Sequence, residues 1–220
     1  MQIAHIAPVP ALKRILSGRH SVPQMALVNY VLNDEEYLDF YRERKKQGDF
    51  VIMDNNAFEV RDRPTAFDEV IEAAELLQPH ELVLPDVWGG SGVECVALAE
   101  EASELMRSNV FLSQTQFAAV PHGHQWEEYQ WCVDQMVKIP RVTTIAVYEE
   151  TLEDFGVHRV DVVRWIRKAH PHMQIHLLGC LEDLSDITDR FVRNNVRSLD
   201  TAKFVRWGFD LQLVTKNHIP

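Results

Sequence analysis

Short apolar runs alternate along the chain with stretches whose apolar residues recur every three or four positions. The first pattern is that of buried strands and the second that of amphipathic helices. Residues 2–7 form the first run, closed by Pro8 and Pro10, and a short helix follows over 11–16. Gly18 and Pro23 punctuate the turn before a second strand over 25–31 (MALVNYV). Asn33-Asp34-Glu35-Glu36 has the character of a helix start, with a capping side chain and acids in the first turn, and Gly48 offers a stop near Gln47. A third strand over 50–54 precedes a helix over 66–77, in which Phe67, Val70, Ile71, Ala74 and Leu77 recur at helical spacing before Pro79.

The same unit recurs to the end. Strands are predicted over 81–85, 117–120, 142–147, 174–178 and 196–199, and helices over 93–106, 126–137, 157–169 and 181–192. Eight strands separated by helical segments, with no hairpin signal between them, predict an α/β fold with a parallel sheet. Eight repeats predict a (β/α)8 TIM barrel. At 220 residues the barrel is compact, a single domain over 1–220 whose last helix is reduced to 204–214. An open doubly wound sheet is the alternative. Against it, no GxGxxG follows the first strand, and Gly89-Gly90-Ser91-Gly92 comes only after the fourth.

Parallel α/β folds keep their chemistry at the carboxyl ends of the strands. The third strand, Phe50-Val51-Ile52-Met53, runs into Asp54-Asn55-Asn56; the fourth ends on Asp86 and the eighth on Asp200. In a barrel these three acids, with His122, Tyr148, Glu149 and Gly179 from other strands, ring one mouth. Any one of the aspartates could instead cap the following helix. His122-Gly123-His124 reads as loop polarity, no histidine set has metal spacing, and neither metal nor cofactor is expected. Trp126, Trp131 and Trp165 fall on helical patterns and read as packing residues.

Composition narrows the picture further. The hydrophobic share of 46% supports a sizeable core, and no window reaches the roughly 18 apolar residues of a membrane span. The N-terminal residues show no basic region ahead of an apolar core, so no secretory signal is expected and a cytoplasmic location is. Cys95, Cys132 and Cys180 are too dispersed for a disulfide framework or a zinc site and read as small core residues. The net charge of −11 disfavours a general nucleic-acid binder, although basic clusters stand at Lys13-Arg14, at 42–46, at Arg61 and Arg63, and at Arg190, Arg193 and Arg197. Solvated helix faces account for most of these.

One family brings these features together. VIMDNNAFEV at 51–60 resembles the Asp-Ser-Gly-Gly-Phe-Gln segment of tRNA-guanine transglycosylases. It is closer to the Asp-Asn-Gly-Ala-Phe-Glu form of short phage relatives that insert 7-deazaguanines into DNA. LVLPD at 82–86, VPHG at 120–123, TTIAVYEE at 143–150, HLLG at 176–179 and SLDTAKFVR at 198–206 match further family segments in the same order. The resemblance implies a (β/α)8 barrel and a base exchange through a covalent aspartyl-glycosyl intermediate. It implies Asp200 as nucleophile, Asp54 as the acid that shuttles the proton between departing guanine and incoming base, and Asp86 as reader of the guanine Watson-Crick edge. Chemistry agrees: an oxocarbenium-like state calls for a carboxylate under the anomeric carbon and an acid beside the leaving group.

By the same resemblance, Asn55, Gly123, Tyr148 and Gly179 stand at the base pocket, Glu149 matches a family glutamate, and the backbone from Thr144 to Ala146 lines the pocket. His122 stands where the family has a base-contacting glutamine; Phe58 either stacks on the base or belongs to the core. Lys203 and Arg206 become candidates for flanking phosphates. Three departures bear on which deazaguanine fits: Thr143-Thr144 replace a glycine pair, Tyr148 a glycine, and Asn56 the glycine of Asp-Asn-Gly-Ala. The family's zinc-binding segment, which helps dock tRNA, has no counterpart after Asp200, where no cysteine occurs. The implied partners are therefore DNA and a 7-deazaguanine base, with tRNA as the alternative polymer and room for a protein partner or homodimer. A hydrolase, or a non-catalytic nucleic-acid-binding subunit of a modification complex, is the competing reading of the same residues.

Overall fold

A computed structural model describes residues 1–19, 22–57, 66–148, 152, 156–179 and 185–202. Eight strands form one sheet: β1 (Gln2–His5), β2 (Gln24–Leu27), β3 (Val51–Asp54), β4 (Glu81–Val83), β5 (Gln116–Ala119), β6 (Val142–Tyr148), β7 (Gln174–Leu178) and β8 (Ser198–Thr201). The order is β1-β8-β7-β6-β5-β4-β3-β2, with every pair parallel, and β1 and β2 adjoin across the one seam that carries no ladder. The result is a compact, nearly closed (β/α)8 barrel, as the eight-fold alternation predicts.

Helices follow the strands: α1 (Val9–Ile15), α2 (Val28–Asn33), α3 (Glu35–Lys46), α4 (Phe67–Leu77), α5 (Gly92–Arg107), α6 (Trp126–Met136), α7 (Arg159–Ala169), α8 (Ser185–Thr188) and α9 (Arg190–Asn195). Local chemistry sets several ends. Asp34 caps α3 by accepting from the Tyr37 N–H. Ser91 and Glu94 form a reciprocal capping box at the start of α5. Pro10 is accommodated inside the first turn of α1, where its missing N–H has no partner to lose.

Besides shifts of two residues, as in α1 (Val9–Ile15 against 11–16) and β8 (Ser198–Thr201 against 196–199), two elements differ from the sequence reading. The run MALVNYV is not one strand: β2 stops at Leu27, and Val28 and Val31 turn one helical face of α2 into the core. A short apolar run suits either element, and here tertiary packing decides. The helix predicted over 181–192 is broken by Asp189, whose side chain caps a new start at α9. The last helix, predicted over 204–214, lies outside the described residues.

The strands separate two apolar regions. Outward residues such as Val51, Met53, Leu82, Phe117, Ile145 and Leu177 pack under the helices and form the larger core. Inward residues Ala4, Met25, Ile52, Val83, Ala118 and Ala146 fill the barrel's middle. Below them lies a polar plug at the amino ends of the strands. Glu81, fully buried, takes a bidentate pair from Arg197 (2.6 and 2.8 Å) and accepts from the Thr144 hydroxyl (2.5 Å), and the guanidinium stands over the Phe50 ring, 5.2 Å from its centroid. The plug closes one end, so any cavity must open at the other. Among the described residues no helix is long and apolar enough to cross a membrane.

Candidate active site

A cavity of about 700 Å³ opens at the carboxyl ends of the strands. Asp54, Asn55, Asp86, His122, Tyr148, Gly179 and Asp200 all line it. The three aspartates come from the carboxyl ends of three different strands, Asp54 in β3, Asp86 just past β4 and Asp200 in β8, and each is held in its own way.

Asp54 ends β3, and a doubled side-chain turn follows. Its Oδ2 accepts from the Asn56 N–H (3.1 Å), and Asn55 Oδ1 accepts from the Ala57 N–H (2.9 Å). Asn56 adopts φ 66°, in the left-handed region. That conformation favours glycine and tolerates asparagine next best. Asn56, standing where the resembling sequences carry glycine, is therefore suited to this backbone path, and it does not line the cavity.

Asn55 turns across to the next strand. Its Nδ2 donates to the Leu84 carbonyl (2.7 Å) and to Asp86 Oδ1 (2.6 Å). The other oxygen of Asp86 meets His122 Nε2 at 2.6 Å. Both carboxylate oxygens thus have one partner each and keep a lone pair apiece for further donors. Asp86 and His122 are both buried, so the pair is rigid.

Asp200, 5% exposed, is held from one side only. Gly179, at φ 62°, turns its N–H onto Oδ1 (3.0 Å), and His176 Nε2 reaches the same oxygen at 3.1 Å. Arg159 fixes that turn by donating to the carbonyls of Leu178 (2.5 Å) and Gly179 (2.7 Å). Among the described residues Oδ2 has no hydrogen bond. The arrangement holds one oxygen with two partners and leaves the other facing the cavity side without one.

Some expected pocket residues stand elsewhere. Thr144 is two inward positions below Tyr148 and belongs to the Glu81–Arg197 plug; it does not line the cavity. Ala146, between them, packs in the barrel's middle, so the cavity floor lies above the backbone that the resemblance assigns to it. Gly123 faces helix α6, where a Cβ would come within 2.9 Å of the Tyr129 nitrogen, so it serves close packing rather than the cavity. Phe58, Glu149, Lys203 and Arg206 lie outside the described residues, as does Cys180. Cys95 and Cys132 are buried, and burial pushes both thiols up to about 12, as inert core residues.

The sequence reading missed other cavity residues. Trp88, from the loop after β4, packs on Tyr148 with ring centroids 4.9 Å apart. Tyr30 comes from α2, Glu36 and Tyr37 from α3, and Asp34 from the cap between them. Burial raises the Tyr37 phenol to about 12, so it stays neutral, and its oxygen accepts from the Leu27 N–H. The main omission lies outside the lining: His176, which touches Asp200 from beneath the cavity. The available signal is a polar residue facing inward on a parallel strand that is otherwise apolar at its centre.

The described lining contains five carboxylates, those of Asp34, Glu36, Asp54, Asp86 and Asp200, and no Lys or Arg. Such a cavity favours substrates or transition states that develop positive charge. Among the described residues no group of three or more His, Cys, Asp or Glu side chains is placed to hold a metal ion.

No protein-family model matches the chain, and no curated protein matches it. Solved structures resemble it in fold. The YdjI aldolase from Escherichia coli K12 is 13% identical with a TM-score of 0.61, over 99% of this chain and 80% of that one. A 2,3-dimethylmalate lyase of the PEP mutase/isocitrate lyase superfamily is 11% identical with a TM-score of 0.58, over 100% and 84%. D-psicose 3-epimerase is 10% identical with a TM-score of 0.56, over 96% and 91%. At such identities the likeness is one of fold alone: all are TIM barrels, and their reactions do not transfer.

Proposed function

We propose that the protein is a transglycosylase that exchanges guanine for a 7-deazaguanine base, such as 7-cyano-7-deazaguanine, in DNA. The observation that carries this reading is the convergence of Asp54, Asp86 and Asp200 on one cavity. These are the three acids that the ordered motifs of the resembling family single out, each at the end of a different strand.

The chemistry follows from how each acid is held. Oδ2 of Asp200 attacks the anomeric carbon as the bond to guanine N9 breaks, and the bonding electrons leave with guanine. Asp54, entering the cycle protonated, gives its proton to the departing base. The incoming deazaguanine returns a proton to Asp54 as its own N9 displaces Asp200 from the sugar, which restores both acids. Asp86 accepts from N1–H and the exocyclic amine of the base with the lone pairs that Asn55 and His122 leave unused. The surrounding carboxylates stabilise the positive charge that develops on the sugar. In duplex DNA the target nucleotide has to leave the stack to reach such a cavity.

A second reading follows from the lining itself. Five acids with no Lys or Arg in the described lining, although Lys13 pairs with Glu36 from outside it, suit an uncharged guanine nucleoside as sugar donor better than a polyanion. One assay separates the readings: labelled 7-cyano-7-deazaguanine is offered with guanine-containing DNA, with tRNA, or with deoxyguanosine. We expect incorporation into DNA, lost in Asp200→Ala and reduced about 10²–10⁴-fold in Asp54→Asn. Label only in the nucleoside or only in tRNA moves the substrate assignment. Wild type indistinguishable from Asp200→Ala on all three sinks the transglycosylase reading.

A further inference from the structure

Beneath Asp200 a hydrogen-bonded chain runs through the inside of the barrel, and the reaction described above makes no use of it. It begins at the plug, where Glu81 fixes the Arg197 guanidinium through two bonds. Arg197 Nε donates to Ser198 Oγ (3.2 Å). Ser198 Oγ lies 2.8 Å from His176 Nδ1, and His176 Nε2 lies 3.1 Å from Asp200 Oδ1. The register makes this possible: His176 on β7 pairs with Ser198 on β8, and Asp200 is the next inward residue up the same strand. His176 and Ser198 are buried, at 1% and 0% exposure.

The order of donors fixes where the protons sit. Arg197 can only donate, so it occupies an acceptor site of Ser198 Oγ. The serine's one O–H is then available to His176 Nδ1, which must accept. The remaining imidazole proton lies on Nε2 and is donated to Asp200, which as a carboxylate can only accept. A doubly protonated imidazole would donate to Ser198 as well and leave the serine hydroxyl without a buried acceptor. The neutral Nε2–H form alone satisfies every atom of the chain.

We infer that His176 is a positioning residue for Asp200. Locked as the Nε2–H tautomer by Ser198 and Arg197, it works with the Gly179 N–H to hold Oδ1, so that Oδ2 is the oxygen presented to the reacting carbon. The inference rests on the proposed role of Asp200 as nucleophile, but its structural half stands without any substrate.

That division sets the experiment. Nitrogen-15 NMR of histidine-labelled intact protein at neutral pH should show His176 as a single Nε2–H tautomer, and Ser198→Ala should turn it into a mixture. A His176 protonated on Nδ1 overturns the inference whatever the protein's activity. In the exchange assay, His176→Gln places an amide N–H and a carbonyl where the ring nitrogens stand and should keep kcat within about threefold. His176→Phe keeps the volume without the bonds and should lose about 10²-fold in kcat with KM little changed. Wild-type kcat in His176→Phe, or a His176→Gln variant as impaired as His176→Phe, overturns the positioning role. If wild type exchanges no base at all, the functional reading fails while the tautomer measurement still decides the chain.

Discussion

At the scale of single residues, burial sets the protonation state as firmly as any partner. His5, on β1 beside β8, is 3% exposed; burial foremost, and then the charge of Arg19, lower its pKa to about 4 from an ordinary 6.5. The fold therefore holds His5 neutral. Its contribution to stability is complete above the unfolded value and is lost as pH falls from about 6.5 toward 4, because only the unfolded chain takes up the proton in that window. The shift corresponds to about 3 kcal/mol. Urea unfolding at pH 7.5 and pH 4 should show wild type losing about that much more stability than His5→Gln. Equal losses in the two proteins would mean that His5 does not govern this part of the acid limb. Asn56 shows the same primacy of environment: as a letter it is a departure from a family pattern, and as a φ of 66° it is a substitute for glycine.

At the scale of elements, the cavity wall depends on how loops are clasped to helices. Glu128 on α6 holds the start of α5 and the loop after β5 at once, accepting from the Gly92 N–H and the His124 N–H, both at 2.7 Å. Gly123 makes that approach possible, since a Cβ there would meet the backbone of α6 at 2.9 Å. Gly123→Ala should thus lower stability by about 1–3 kcal/mol and displace the adjoining His122 from Asp86. Gly89→Ala is the control, with a positive φ but open space around the new Cβ, and should lose only about 1 kcal/mol. Thermal melts test the first part, and the His122 imidazole resonances report the second. An unmoved His122 in Gly123→Ala would refute the coupling.

The legibility of the sequence divides along these same lines. Asp54 and Asp86 are readable because apolar runs stop just before them, and a parallel barrel gathers such ends at one mouth; Asp200 follows the mixed segment Val196-Arg197-Ser198-Leu199 and is legible chiefly through the order of the resembling motifs. Depth along a strand is less readable. Thr144, Ala146 and Tyr148 alternate inward in the same way, yet only Tyr148 reaches the cavity, because layers are set by barrel stagger and not by local pattern. Cross-strand partners are least readable. His176 meets Asp200 only through the β7–β8 register, and Asn55 meets Asp86 only through two adjoining loops, neither of which leaves a trace in sequence spacing.

At the scale of the whole molecule, the open physical question is how a chain of net charge −11, with five acids around its cavity, would engage a polyanion. Favourable phosphate contacts have to come from Lys and Arg, and each contact releases counterions that make affinity fall with salt. No such residue is in the described lining. Arg197, three residues before Asp200, is held by Glu81; the cations that follow the two proposed catalytic acids are Arg61 and Arg63 after Asp54, and Lys203 and Arg206 after Asp200. If DNA is the substrate, these four should carry much of its binding. Replacing all four by glutamine should then weaken DNA affinity and flatten the dependence of log K on log salt by about one unit of slope per lost contact. Exchange on deoxyguanosine, which has no phosphate, should be unchanged. Fluorescence anisotropy of labelled DNA across 50–200 mM salt, roughly the range in which such contacts are most evident, supplies the slope. A variant that binds DNA with the wild-type slope would remove the polymer from the assignment and leave the acid-lined cavity to a neutral nucleoside.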